Sequence, residues 1–293
     1  MSGRLVLLGT KGGPAIRPGG PSPTSSLLEL GGRRIVVDCG LGVTRGLTDA
    51  GIRLHEIDLI FITHLHSDHV LELGALIHTA WTAGLNRRVR VFGPIGISDV
   101  WRGFLDSIRF DIEVRIIDEG RPDLRDLVEI KTYGEGPVFE EDGLSVAALR
   151  VHHPPVTECF ALKFEADGSR VVFSSDTAYW PPLADFAADA DVLVHEALLE
   201  SGVDRLVART GNGARLKEHL MASHTLAEDA GRIGEAARAR HLVLHHLVPA
   251  DDAEITVDDW SMATGRTFRY GRLTIGRDGM AIALDVPHGR TSE

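Results

Sequence analysis

Residues 63–69 read Thr63-His64-Leu65-His66-Ser67-Asp68-His69 and directly follow the apolar stretch Leu59–Ile62. Because alternate residues of an extended chain face the same side, the side chains of His64 and His66 point together. Where the chain then turns into a helix, Asp68 and His69 can aim at an adjacent point. Neutral imidazole and carboxylate groups suit zinc, with coordination positions left open for water. This stretch therefore predicts a metal centre on the turn between a strand and a helix.

The composition is that of an ordinary folded protein. The chain has 293 residues, of which 43% are hydrophobic and 25% charged, which argues against disorder, collagen and coiled coil. This length is near the upper limit for one hydrophobic core, so one or two domains are possible. We expect a single domain over residues 1–293. The apolar stretches are far shorter than the roughly 20 residues that span a bilayer, and the N-terminus lacks a secretory signal. We expect a cytoplasmic protein without a membrane partner.

The charge balance argues against a broad surface for polyanions. The net charge is −11, from 42 acidic and 31 basic residues, and no run of four or more Lys or Arg occurs. A protein that binds nucleic acid over a large face needs clustered cations. The two cysteines, Cys39 and Cys159, are too few for a disulfide framework, which favours a reduced protein.

Short apolar runs alternate with helical patterns along the chain, and strands dominate. Val114–Ile117 is predicted to be a strand and Ile97–Ile108 a helix. A further helix is predicted over Thr225–Ala239, where Thr225 and Glu228 form a capping-box pattern. This order of elements predicts helices on the outer faces of sheets that pack on one another.

Two segments are candidates for lining a site. Gly9–Ser26 is rich in glycine and proline and directly follows a strand. Such loops often line sites, and a plain surface loop is the alternative. The charged segment Asp204–His224 contains His219. We interpret it as a solvated loop and helix, with a mobile lid as the alternative.

The His-x-His-x-Asp-His pattern resembles the signature of the metallo-β-lactamase superfamily. The resemblance extends over most of the chain and implies an α+β fold, a four-layer αββα sandwich. It also implies further metal ligands, each of which follows a predicted strand: His153, the bridging carboxylate Asp176, and His246. The full implied ligand set is His64, His66, Asp68, His69, His153, Asp176 and His246.

Two of these ligands have an adjacent histidine. His152 precedes His153, and His245 precedes His246. Members of the family often carry His followed by Pro at the first position and His-x-x-Pro at the second. That comparison favours His153 and His246, and the neighbouring histidines would then support the ligands or pack.

Further elements resemble the ribonuclease Z and arylsulfatase-like branch of the superfamily. They are Leu8-Gly9-Thr10, Val37-Asp38-Cys39-Gly40, His195-Glu196-Ala197 and His224-Thr225. In that branch the Glu and the later His form a dyad beside the metals, so Glu196 would orient His224. The alternative is that His195 and Glu196 satisfy buried backbone groups and that His224 caps a helix.

Two departures weaken transfer RNA as the substrate. Asp176 follows His153 by only 23 positions, which leaves no room for the extended arm usual in transfer-RNA-processing members. The Arg-Tyr that commonly follows the last metal histidine is replaced by Leu247-Val248-Pro249. We expect a small-molecule or short ester substrate, with transfer RNA not favoured and a homodimer suggested by the branch.

The resemblance implies a hydrolase with two zinc ions per chain, with Mn²⁺ or Fe²⁺ as alternatives. A hydroxide that bridges the metals would attack, and Asp68 would orient the water or accept its proton. His224, held by Glu196, would protonate the leaving oxygen. This chemistry suits a phosphodiester or sulfate ester. The rivals are a lactonase or hydrolase of β-lactams and carboxylic esters, a mononuclear iron dioxygenase, and a metal-free binding module.

Overall fold

The computed structural model describes residues 3–211 and 213–284. The described residues form two seven-stranded sheets. In chain order, the strands are β1 Gly3–Gly9, β2 Ser25–Leu30, β3 Arg33–Cys39, β4 Leu59–Phe61, β5 Val89–Gly93, β6 Val128–Thr132, β7 Gly136–Glu141, β8 Leu144–Arg150, β9 Phe160–Ala166, β10 Ser169–Phe173, β11 Val192–Leu198, β12 His241–Val248, β13 Arg272–Ile275 and β14 Met280–Leu284.

Helices flank both sheets. They are α1 Val43–Asp49, α2 Ser67–Val70, α3 Leu73–Thr82, α4 Ile97–Ser107, α5 Arg109–Glu119, α6 Pro182–Phe186, α7 Glu200–Thr210, α8 Gly213–Ser223, α9 Ala227–Ala236 and α10 Val257–Gly265. Short 3-10 turns lie at Leu54–Glu56 and Leu124–Leu127.

Each sheet comes largely from one half of the chain. The first sheet has the order β14-β1-β2-β3-β4-β5-β6 and the second β13-β12-β11-β10-β9-β8-β7. The exception is β14, which pairs antiparallel with β1 so that Gly3 lies opposite Leu284. Strands β3 to β6 run parallel, as do β10 to β13. The carboxyl ends of the central strands in each sheet can therefore carry one shared site.

Three apolar layers hold the sandwich together. Between the sheets, Phe61 stacks on Phe92 with ring centroids 4.7 Å apart and meets Phe164 edge to face. Helices α1, α3, α4 and α5 pack on the outer face of the first sheet, and α6, α9 and α10 pack on the second. This is the four-layer αββα sandwich, so the α+β prediction is confirmed.

The structure differs from the sequence interpretation in α5. Residues 114–117, expected as a strand, lie within this helix. The apolar residues Phe110, Ile112 and Val114 alternate with charged ones, which is a strand-like period. In the helix only Ile112 is buried, while Phe110 and Ile117 are exposed.

The start of α9 also differs from the expected capping box. The helix begins at Ala227, and its N-cap residue Leu226 makes no side-chain cap. The Thr225 hydroxyl instead donates to the Thr177 carbonyl at 2.6 Å. Thr225 thus ties α9 to the loop that carries Asp176. None of the described helices has the length and apolar character needed to cross a bilayer.

Candidate active site

The seven candidate ligands converge where strand ends of the two sheets meet. Four of them follow β4, namely His64, His66, Asp68 and His69, and α2 starts at Ser67. The second sheet supplies the other three. His153 follows β8, Asp176 follows β10, and His246 lies within β12. All seven except His66 are buried.

The first group consists of three imidazoles and a carboxylate. Nδ1 of His66 lies 3.0 Å from Nε2 of His64 and 3.1 Å from Nε2 of His153. Oδ2 of Asp176 lies 3.8 Å from Nε2 of both His64 and His153. One ligand atom from each residue lies within 4.8 Å of all the others, as a shared metal ion requires.

The second group consists of two imidazoles and two carboxylates. Nε2 of His246 lies 3.1 Å from Oδ2 of Asp176 and 3.3 Å from Oδ2 of Asp68. Nε2 of His69 lies 3.3 Å from Oδ1 of Asp176. These ligand atoms also lie within 4.8 Å of one another. Asp176 therefore belongs to both groups, because its Oδ2 lies near histidines of each group and its Oδ1 lies near His69.

The donor atoms fit divalent cations. Nε2 of His69 and Oδ1 of Asp176 are buried and make no hydrogen bond to the described residues. Buried polar atoms almost always have a partner, and a metal ion would supply it here. The donor set of imidazole nitrogen and carboxylate oxygen is the one expected for zinc and similar metals.

Neighbouring groups orient the ligands. Oδ2 of Asp38 lies 2.8 Å from Nδ1 of His69, which leaves Nε2 to face the site. Oδ1 of Asp38 accepts from the Thr63 amide at 2.8 Å. Nδ1 of His153 lies 2.9 Å from the Ser223 carbonyl. Such contacts fix the tautomer and the ring orientation of metal ligands.

The structure separates the adjacent histidines. His153 faces the first group, whereas His152 is exposed and stacks on Trp180. Between β11 and β12 the register shifts at Glu196, which pairs with His245, while the next residue pairs with Leu247. His246 is thus the extra residue of a bulge, with φ 44°. The bulge turns His246 to the site, while Nε2 of His245 contacts the Gly9 carbonyl at 2.8 Å.

The electrostatics of the two groups differ. Burial lowers the pKa of His64 well below its ordinary value and also lowers the pKa of His153. Burial also acts to lower the pKa of His246, but the Asp176 charge and hydrogen bond raise it to about 10. Asp176, although buried, is held well below its ordinary pKa by His246 and His69. A metal ion bound by the second group would therefore displace protons.

Glu196 and His224 form a hydrogen-bonded pair beside the second group. Nδ1 of His224 lies 2.9 Å from Oε2 of Glu196, and the Thr177 amide donates to Oε1 at 2.5 Å. The His224 ring stacks on His246 with centroids 5.5 Å apart. Burial acts to lower the pKa of His224, but Glu196 raises it above the ordinary value. The geometry suits a protonated imidazole next to the ligands.

A cavity of about 390 Å³ opens onto these residues. One wall is the loop from Lys11 to Arg17. The opposite wall, which we call the roof, is formed by α7 and α8 and contributes Leu206, Leu216 and His219. The segment Asp204–His224 was expected as a solvated loop and helix, whereas the structure places Asp204–Thr210 in α7 and Gly213–Ser223 in α8, and both helices contribute to the cavity.

Sequence analysis assigned no role to two residues of this cavity, although both lie in segments that it named as candidates for lining a site. The His219 ring lies 5.8 Å from His224 and 6.5 Å from His66, centroid to centroid. Lys11 is buried in the opposite wall. The available signal for Lys11 was its place in a glycine-rich loop directly after a strand. His219 carried no such signal, since its helix is charged and only weakly periodic.

Comparisons with known proteins agree with this architecture. The family model described as Anti-Pycsar protein Apyc1 matches residues 4–210. Ribonuclease Z from Mycolicibacterium paratuberculosis is 30% identical over 286 residues, covering 97% of this chain and 99% of that protein. Ribonuclease Z from Mycobacterium sp. (strain KMS) is 32% identical over 250 residues, covering 84% of each chain.

Solved structures show the same fold. The metallo-beta-lactamase fold protein YhfI from Bacillus subtilis superposes with a TM-score of 0.70 at 20% identity, covering 97% of this chain and 100% of that chain. The short form of human tRNase Z superposes with a TM-score of 0.67 at 19% identity, covering 96% and 99%. The chain therefore belongs to the Apyc1 family and, with the ribonuclease Z proteins, to the metal-dependent hydrolases of the metallo-β-lactamase fold.

Proposed function

We propose that the protein is a binuclear zinc hydrolase that cleaves a phosphodiester or sulfate ester of modest size. The observation that carries this proposal is the position of Asp176, which lies within ligand distance of both histidine groups. A shared carboxylate is the arrangement expected where two metals act on one substrate. The proposed ligands are His64, His66 and His153 for one ion and Asp68, His69 and His246 for the other, with Asp176 between them.

Asp68 and His224 have separate roles in the proposed reaction. Two zinc ions held by the two groups of ligands would supply a Lewis acid for the ester and would lower the pKa of a water. Asp68, fixed by the Gly13 amide at 2.7 Å, orients that water and takes up its proton. His224 donates through Nδ1 to Glu196, so Nε2 is left to give a proton to the departing oxygen. The water oxygen bonds to phosphorus or sulfur as the bond to the leaving oxygen breaks.

The relatives and the cavity together favour a phosphodiester of limited size. Relatives named ribonuclease Z cover almost the whole chain, which supports phosphodiester chemistry. The cavity of about 390 Å³ is bounded by the roof on one side and by the loop from Lys11 to Arg17 on the other. The hairpin of β9 and β10 fills the short interval between His153 and Asp176, so no additional arm for transfer RNA projects there.

A homodimer is part of the same proposal. Helix α5 exposes Phe110, Val114 and Ile117 along one face, at 81%, 44% and 84% of their surface. These positions recur at helical spacing and form an apolar stripe, as expected of a surface that meets another protein. Light scattering on the purified protein tests whether two copies associate.

The function is tested by hydrolysis of bis(p-nitrophenyl) phosphate by the zinc-loaded protein, beside p-nitrophenyl sulfate and p-nitrophenyl acetate. We expect activity on at least one of the two anionic esters. The His224→Ala variant should lose about 100-fold in kcat on that ester, since it lacks the acid. Activity on the acetate alone, or an unchanged rate in His224→Ala, would contradict the proposal.

A further inference from the structure

Lys11 is a buried lysine in the wall of the cavity. Only 4% of its surface is exposed, and it lines the same space as Asp68, His224 and His246. Its Nζ atom donates to the Gly12 carbonyl at 2.9 Å and to the Gly13 carbonyl at 3.3 Å. Among the described residues it has no carboxylate partner within 4.0 Å. An ammonium group has three donors, so one remains for a ligand.

The backbone holds Lys11 firmly beside the metal ligands. Its amide donates to the Ser22 carbonyl at 3.0 Å, and the next amide, that of Gly12, donates to the Leu247 carbonyl at 3.1 Å. Gly12 packs so closely on His246 that a Cβ atom there would lie 2.7 Å from the ring. The Gly13 amide bonds Asp68. The two carbonyls that position Nζ thus belong to Gly12, which packs on His246, and to Gly13, which bonds Asp68.

The acids near Lys11 already have other partners. Asp251 pairs with Arg17 at 2.8 Å and with Arg209 at 3.2 Å. Asp68 lies 3.3 Å from Nε2 of His246. Burial lowers the pKa of Lys11, and the Asp251 charge opposes that change. A buried ammonium without a counter-ion is costly in free energy. A bound anion would relieve this cost.

We propose that Lys11 binds a non-bridging oxygen of the substrate's phosphoryl or sulfuryl group and so selects anionic esters over neutral ones. This inference rests on the proposed hydrolase function. An anionic ester brings a negatively charged oxygen, which can accept from the third N–H group of the Lys11 ammonium. A lactone or carboxylic ester brings only a neutral carbonyl oxygen. Lys11 is therefore a specificity residue on the wall that faces the roof.

The kinetic test compares two esters that share one leaving group, bis(p-nitrophenyl) phosphate and p-nitrophenyl acetate. The Lys11→Met variant keeps the apolar stem and removes the charge. We expect kcat/KM on the phosphate to fall about 10- to 100-fold, with less than a threefold change on the acetate. Lys11→Arg should recover part of the loss. Equal losses on both esters would indicate a structural role and overturn the inference.

A binding measurement judges Lys11 independently of catalysis. Inorganic phosphate is titrated into the zinc-loaded wild type and variants by calorimetry, with the zinc content measured in each. We expect the Kd to rise at least tenfold in Lys11→Met. It should not change in Lys131→Met, which alters an exposed lysine on β6. Unchanged phosphate affinity in Lys11→Met would overturn the inference.

The two arms also separate the possible failures. If the wild type cleaves no anionic ester, the proposed function fails, while the phosphate titration still decides the role of Lys11. If Lys11→Met does not fold, Lys11→Gln takes its place, because its amide can still donate to the glycine carbonyls but carries no charge. The same losses are expected from it.

Discussion

Nδ1 of His224 lies 2.9 Å from Oε2 of Glu196, and the surface of both side chains is at most 9% exposed. The other carboxylate oxygen accepts from the Thr177 amide, one residue after Asp176. Glu196 therefore links His224 to the loop that carries Asp176. A buried charge pair of this kind couples the protonation of one group to the presence of the other.

Replacing Glu196 by Gln should lower kcat on bis(p-nitrophenyl) phosphate by about 10- to 100-fold. The amide can still accept from Thr177, but it no longer raises the pKa of His224. The protonated form of His224 is then lost at lower pH, so the alkaline limb of the kcat–pH profile should move to lower pH. In the double variant with His224→Ala, the two losses should not add. Additive losses would separate the roles of the two residues.

Replacing Asp38 by Asn should weaken zinc binding by about 10- to 100-fold at one of two sites. The carboxylate of Asp38 contacts Nδ1 of His69 and fixes which ring nitrogen faces the site. Competition with a chromophoric chelator measures the affinity. The control is Asp58→Asn, which breaks an ion pair with Arg33 at the opposite end of β4. Equal effects in the two variants would refute a specific role for Asp38.

Substituting Gly12 by Ala should abolish most of the activity and reduce the zinc content. The added Cβ would lie 2.7 Å from Cε1 of His246 and 2.8 Å from its Nδ1, so the ligand has to move. The matched control is Gly103→Ala in α4, where the Cβ meets open space. That control should stabilise the protein by about 0.5–1 kcal/mol and leave activity unchanged. Full activity in Gly12→Ala would contradict this prediction, because it would show that the loop moves to accommodate the Cβ without displacing His246.

The stability of the metal-free protein should fall in acid partly because of His241. Burial, with a smaller effect of Arg272, lowers the pKa of His241 to about 4, against about 6.5 in the unfolded chain. Since the folded value is the lower one, the contribution is complete above pH 6.5 and is lost as the pH falls towards 4. His241→Gln should reduce this loss by roughly 1–3 kcal/mol. Urea unfolding at pH 7, 5 and 4 measures the free energy of unfolding of both proteins. The same dependence on pH in wild type and His241→Gln would contradict the role of His241.

The metal motif could be predicted because it depends on local spacing, whereas the four-layer sandwich followed from the order of the elements together with the family resemblance. Imidazoles two positions apart on an extended segment share a side whatever the rest of the chain does. The later candidates required the family resemblance, and the choice between His245 and His246 depends on a bulge that no periodicity reveals. Only the pairing of β11 with β12 shows which ring turns to the site.

Other features lie beyond local pattern. In α5, the alternation of apolar and charged residues indicated a strand. The segment is instead a helix whose Ile112 packs on the outer face of the first sheet. Lys11 becomes notable only when Leu247 and Ser22 bring its loop against the site. The roof likewise depends on packing, since Val203 and Leu220 are buried against Leu198 and Val248.

The pairing of β1 with β14 has a consequence for biosynthesis. The strand that completes the first sheet, β14 (residues 280–284), is the last of the described strands in chain order, so it is synthesised after the strands it joins. Until then the outer edge of β1 has no partner in that sheet, and an open edge invites pairing with other chains. Much of the first sheet can assemble during translation, but its closure awaits the synthesis of β14. We therefore expect the nascent chain to depend on chaperones during that interval.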